Sequence, residues 1–227
     1  MSEGHETRGI EERLKSAREI LRFALDNMDQ RGIKNKLAEC GLSSEELKPI
    51  LREYFIPYAF KTSIFSANEL LDSAGISLED LLTNCPEYQI HLVGFLFMRL
   101  GTGGVADAMI FKDQLETIGY PLTETQLNDE TARLIVEGAM ERALSKGSAS
   151  DARVIAKGFN LEAELRHNVN YRKVASNYLI SARNKDPQMF DRVFSKYQGI
   201  FDFDTSFLVA LEQGVLTTSD IENVLSF

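Results

Sequence analysis

Chemistry in this chain could reside in a few stretches. Gly101-Thr-Gly-Gly-Val-Ala106 fits G-x-G-x-x-A. In that pattern loop N–H groups and the start of a helix hold a pyrophosphate. Such a site needs a strand before the loop and another after the helix. Leu92 to Leu100 is rich in Leu and Phe, with Val93 as its one β-branched residue, and Tyr120-Pro-Leu-Thr-Glu124 does not suit a strand. A link between helices explains the glycines better. Asp202-Phe-Asp204 could present two carboxylates to a metal, but Asp204 also stands where it would cap a helix beginning at Phe207. His5, His91 and His167 share no ligand spacing with each other or with Cys40 and Cys85. His91 lies in an apolar helix and reads as a core histidine. No nucleophile elbow, zinc-protease motif or P-loop occurs. The sequence therefore assigns no catalytic residue, no cofactor and no metal.

Binding chemistry is the alternative. Arg166 to Lys173 and Tyr178 to Lys185 mix bases with tyrosines. Arg166, Tyr171, Arg172, Lys173, Tyr178 and Arg183 form the candidate contact patch. An acidic protein, a phosphorylated segment or RNA suits such a patch. A solvated helix face is the plain reading of any charge run.

Charge is distributed unevenly. The chain is 227 residues long with net charge −9. Residues 131–200 hold twelve bases against seven acids, and residues 201–227 hold five acids and no base. Such asymmetry bears on partner choice more than on fold. DNA reading is disfavoured. The turn near Gly75 resembles a helix-turn-helix joint, but its second helix offers Glu79 and Asp80 to phosphate. No apolar run approaches the ~20 residues a membrane helix needs. No secretory leader is visible and both cysteines sit in apolar company, so the expectation is a soluble, cytoplasmic protein with reduced, buried thiols.

The elements that must position these residues read as helices throughout. Leu14, Ala17, Ile20, Leu21, Ala24 and Leu25 recur at helical spacing, and so do Ala132, Val136, Ala139, Met140 and Ala143. Capping boxes are expected at Ser43–Glu46, Ser66–Glu69 and Thr123–Gln126, with a cap at Ser148–Asp151. Pro57 is expected to interrupt the stretch Tyr54–Phe65. Asp186-Pro187 reads as an N-cap followed by proline at the first helical position. Gln89 to Leu100, apolar nearly all round, should be buried. No segment alternates like a strand.

One joint recurs. Leu37 to Leu47 and Leu71 to Leu81 share the order apolar helix, glycine, apolar residue, capping residue. Looser copies stand at Gly119, Gly158 and Gly199. The spacing of these glycines predicts stacked helical units of 34–44 residues. The stretch Ala143 to Asn160 resembles an ankyrin repeat in its order of inner helix, Gly turn, outer helix and closing Gly. More broadly the chain resembles the ankyrin and armadillo/HEAT class of α-solenoids over residues 30–205. Thr-Pro-Leu-His is absent, and the spacing exceeds the ~33 residues of ankyrin.

The expected architecture is all-α: five or six stacked helix pairs, α-solenoid-like, in one domain over residues 11–227 behind a polar extension at residues 1–10. An irregular helical bundle is the alternative. The resemblance implies a non-enzymatic module that binds a protein partner, and the basic patch suits one that is acidic or phosphorylated. The competing expectation is a helical enzyme or small-ligand protein with its site near Gly101 to Gly104.

Overall fold

The computed structural model describes residues 3–27, 32–72, 76–203 and 207–209. Among them there are helices and no strand, so the all-α expectation holds. The helices are α1 Glu3–Asn27, α2 Ile33–Glu39, α3 Ser44–Lys61, α4 Ile64–Asp72, α5 Leu78–Asn84, α6 Pro86–Gly101 and α7 Val105–Thr117. They continue with α8 Glu124–Leu127, α9 Glu130–Ser145, α10 Ala149–Gly158, α11 Glu162–His167, α12 Val169–Lys185 and α13 Pro187–Gln198. No described helix is long and apolar enough to cross a membrane.

The chain divides into two compact units, Met1–Leu96 with Phe111–Pro121, and Phe97–Ile110 with Leu122–Phe227. In the first, α1 packs on α2 and α3, and α3 packs on α4. Its core holds Leu21, Leu37, Leu51, Phe55, Ile64 and Leu71. Arg13 ties α1 to the end of α2 by donating to the Gly41 carbonyl at 3.0 Å. In the second, α9 packs on α10 and α12, and α13 on α12 and α10. Its core holds Met140, Leu144, Ile155, Leu165, Tyr171, Leu179 and Tyr197.

Several helix starts obey local rules. Ser43 with Glu46 and Thr123 with Gln126 form complete capping boxes. Asp129 accepts from the Ala132 N–H at 2.9 Å, and Asp186 accepts from Gln188 at 3.0 Å. Each such cap contributes about 1 kcal/mol. Other starts differ from expectation. Ser66 lies inside α4, and Ser63 is the residue whose hydroxyl accepts from the Ser66 N–H. Ser148 precedes α10 without a side-chain bond to its backbone. Pro57 does not interrupt its helix. α3 runs through both Pro49 and Pro57, which sit on its exposed side while Leu51, Phe55, Tyr58 and Ala59 are buried. Burial of that aromatic face offsets the lost backbone bonds. Nor is α6 buried all round: Ile90 is 69% exposed, and His91, expected in the core, faces solvent. Helical structure also begins at Glu3, inside the stretch read as an extension.

Of the joint glycines expected from the sequence, two have the left-handed conformation, while Gly158 and Gly199 do not. Gly41 and Gly119 have positive φ, as do Gly103 and Gly147. Gly158 ends α10 inside the helix, and Asn160, φ 57°, takes the left-handed position instead. Gly75 lies outside the described residues. Bonds from Tyr120 N to Leu115 O, from Ser148 N to Ala143 O and from Leu161 N to Ala156 O close three of these turns. Each spans six residues and uses a carbonyl that the helix end would otherwise leave open.

Gly147 is the most constrained joint. Its φ is 81°, and a Cβ there would lie 2.4 Å from the Tyr178 ring. At Gly103 and Gly119 a Cβ would meet nothing within 4 Å. Gly103→Ala and Gly119→Ala should each cost about 1 kcal/mol through backbone strain alone. Gly147→Ala should cost at least about 2 kcal/mol, because overpacking adds to that strain. Urea unfolding of the three variants checks the ranking, and equal losses would contradict it.

Candidate protein-interaction surface

The candidate patch does not form one strip. Arg172 and Arg183 lie eleven residues apart on α12 and so share a face, while Lys173 is about 100° round the helix. That shared face is not free. α12 is wedged among α9, α11 and α13. Arg172 is half-buried, and its Nε has no hydrogen-bond partner in the structure. The Arg183 guanidinium lies 5.5 Å from the centre of the Phe190 ring, at cation–π distance. Lys173 is half-buried and engaged by a neighbour. Arg166 alone of the six is exposed, at the end of α11.

The two tyrosines are structural rather than surface anchors. Tyr171 is 1% exposed. Burial raises its pKa above the usual range, and the carboxylates of Glu137, Glu164 and Glu141 push the same way. The ground around Tyr171 is therefore acidic. Arg133 partly balances it, bonding Glu137 at 3.0 Å and Glu164 at 3.4 Å. Tyr178 is half-buried, stacked on Tyr197 at 6.1 Å between ring centres. Tyr197 is fully buried and donates its O–H to the Leu144 carbonyl.

Further exposed bases of this unit lie on α10 and α13. Arg153 and Lys157 stand one turn apart on α10, and Arg192 and Lys196 one turn apart on α13; all four are exposed. Sequence reasoning missed them, yet a signal was present: Arg153-Val-Ile-Ala-Lys157 and Arg192-Val-Phe-Ser-Lys196 both read R-V-x-x-K. Arg153 donates to the Lys196 carbonyl at 3.2 Å, tying the two helices together. Arg153, Lys157 and Arg166 border a groove of ≈ 250 Å³ whose floor is Ala156, Leu165 and Ile200. Glu162 also lines it.

The Gly101 to Gly104 loop offers less room. Beside it lies a hollow of ≈ 60 Å³ lined by Gly103, Arg142, Lys146 and Asp151. About two waters would fill it, against the ~300 Å³ of the smallest ordinary ligand pockets. Arg142 is occupied there, donating to the Leu100 carbonyl at 3.1 Å. Among the described residues no group of three or more His, Cys, Asp or Glu could hold a metal. Asp204 lies outside those residues. Cys40 and Cys85 are free thiols, half-buried rather than buried.

Tyr171 and Tyr197 make stability sensitive to alkali. Both have raised pKa values in the folded state, chiefly through burial. Their contribution is intact below the ordinary tyrosine pKa and is lost as pH rises above it, because the unfolded chain then releases protons that the fold retains. Above pH ~10 stability should fall by about 1.4 kcal/mol per pH unit for each. Denaturation of the wild type and of Tyr171→Phe and Tyr197→Phe between neutral and alkaline pH checks this. Each Phe variant should show a shallower alkaline slope.

Comparison with known proteins finds no matching family model, no similar curated protein and no similar solved structure.

Proposed function

We propose that this chain is a non-enzymatic helical-repeat module that binds a protein partner, and that residues 130–198 contain two copies of its repeat. One observation carries the reading. α9 packs on α12, and α10 packs on α13. α12 begins at Val169 and α9 at Glu130, an offset of 39 residues; α13 begins at Pro187 and α10 at Ala149, an offset of 38.

Burial follows the same offsets. Ala132, Val136, Met140 and Ala143 are buried, and so are Tyr171, Ala175, Leu179 and Ala182. Ala152, Ile155 and Phe159 are buried, and so are Phe190, Val193 and Tyr197. Equivalent helices stacked side by side, with a short third helix between copies, are what an α-solenoid requires. The offset is nearer to the roughly 40–47 residues of HEAT and armadillo repeats than to the ~33 of ankyrin. Repeats of this kind expose equivalent faces in rows, and rows of exposed side chains suit an extended protein ligand. The exposed Arg and Lys pairs of α10 and α13 support a docking face of basic character.

Affinity capture on the full-length chain, followed by purification of the captured protein and direct binding, tests this. A purified protein should bind at a defined stoichiometry. Its association should slow as salt rises from ~0.01 M to ~0.15 M, over which the screening length shrinks from ~30 Å to ~8 Å. A metabolite that raises the melting temperature by several degrees, with no protein binding directly, would overturn the reading in favour of a small-ligand protein.

A further inference from the structure

We infer that the groove between α10, α11 and the end of α13 is the docking site for an acidic peptide segment of the partner, one in which an apolar side chain lies between two carboxylates. This rests on the protein-binding reading and gives it a place and a chemistry. The floor is apolar: Ala156, Leu165 and Ile200. The rim carries Arg153, Lys157 and Arg166 against Glu162 alone. Among the described residues none of the three bases is in an ion pair, whereas Arg18, Arg22, Lys48, Lys61, Lys112 and Arg133 are. Three bases against one carboxylate leave a net positive local field, which attracts an anionic ligand.

Size selects the kind of ligand. A volume of ≈ 250 Å³ falls just below the range of small-molecule and cofactor sites, which begin near ~300 Å³. It accommodates one or two side chains of a longer ligand. An apolar floor takes one apolar residue, and bases on the rim take carboxylates on either side of it. Arg153 is held in place by its bond to the Lys196 carbonyl, so one rim cation is pre-positioned. Lys157 and Arg166 extend from neighbouring helices and set the approach. The chain itself carries the complementary pattern at Asp220-Ile221-Glu222, which makes that stretch a competitor to be tested.

The test uses a fluorescently labelled synthetic peptide centred on Asp-Ile-Glu, with Asn-Ile-Gln as its neutral counterpart, titrated into the full-length protein by anisotropy. The acidic peptide should bind at low salt and the neutral one about tenfold more weakly or worse. Lys157→Glu with Arg166→Glu should reduce acidic-peptide binding at least about tenfold, with the helical signal and melting temperature of the wild type, because exposed charges add little to stability. Unchanged binding by that double variant would overturn the groove while leaving the module reading intact, since a captured partner could still bind elsewhere. A full-length variant with Asp220→Asn and Glu222→Gln supplies a further arm. Binding seen only in that variant would make the chain's own end the occupant and overturn the assignment to a partner. Absence of binding in both, or tighter binding of a single-stranded RNA of matching charge, would also overturn it.

Discussion

The hydrogen bond from Tyr197 to the Leu144 carbonyl is the constraint on which the second unit depends. A helix ends with carbonyls that have lost their partners. At the end of α9 the Leu144 carbonyl accepts twice, from the Gly147 N–H at 3.1 Å and from the Tyr197 hydroxyl. The first bond closes the turn locally. The second comes from α13, fifty-three residues away in sequence. Tyr178 of α12 lies over Gly147 so closely that only glycine fits. One joint thus locks three helices: α9 by its carbonyl, α12 by its ring, α13 by its hydroxyl. The path of the chain into α10 follows from that lock, and α10 carries Arg153 and Lys157.

Aromatic packing extends the lock towards the end of the described chain. Tyr197 stacks near Phe201, Phe201 meets Phe203, and Phe203 stacks on Phe207. Such pairs contribute roughly 0.5–1.5 kcal/mol each beyond burial of their area. Ile200 is seated in the same segment, so its place on the groove floor depends on this aromatic row and not on local helix propensity. A rigid floor beneath exposed cations is what separates a binding groove from a merely charged surface.

What the sequence disclosed was mostly local. Helix period is read from side chains three and four apart, and capping boxes from residues three apart, so α9, the Ser43 box and the Thr123 box were legible. Asn160 in place of Gly158 was not, because asparagine also tolerates the left-handed conformation and a helix can include a glycine as its last residue. The six patch residues are spread apart for a different reason. A run of bases in sequence is one-dimensional, and a helix distributes it around an axis. α12 has neighbours on several sides, so its arginines lie along packed surfaces and its tyrosines serve the core. Tyr171 looks amphipathic in sequence; only the neighbours α9 and α11 reveal that it is enclosed, and by carboxylates. The 39-residue offset was also hidden, since the buried positions that repeat change identity, as from Ala132 to Tyr171 or from Ala152 to Phe190.

Exposed lysines and arginines contribute little to folding: a surface ion pair has a median worth of ~0–1 kcal/mol, and unpaired like charges repel. The fold could dispense with positive charge at Lys157, Arg166, Arg192 and Lys196, yet it presents all four to solvent in a chain of net −9. Some bases elsewhere are paired, as Arg18 is with Glu53 and Lys61 with Asp26. Folding gains nothing from this difference in treatment. On the proposed reading association would gain, because unpaired charge acts over a screening length and speeds encounter with a ligand of opposite sign, while a small apolar floor limits how long that ligand stays. For the proposed module that balance would suit a contact that forms fast, releases readily and selects by charge before it selects by shape.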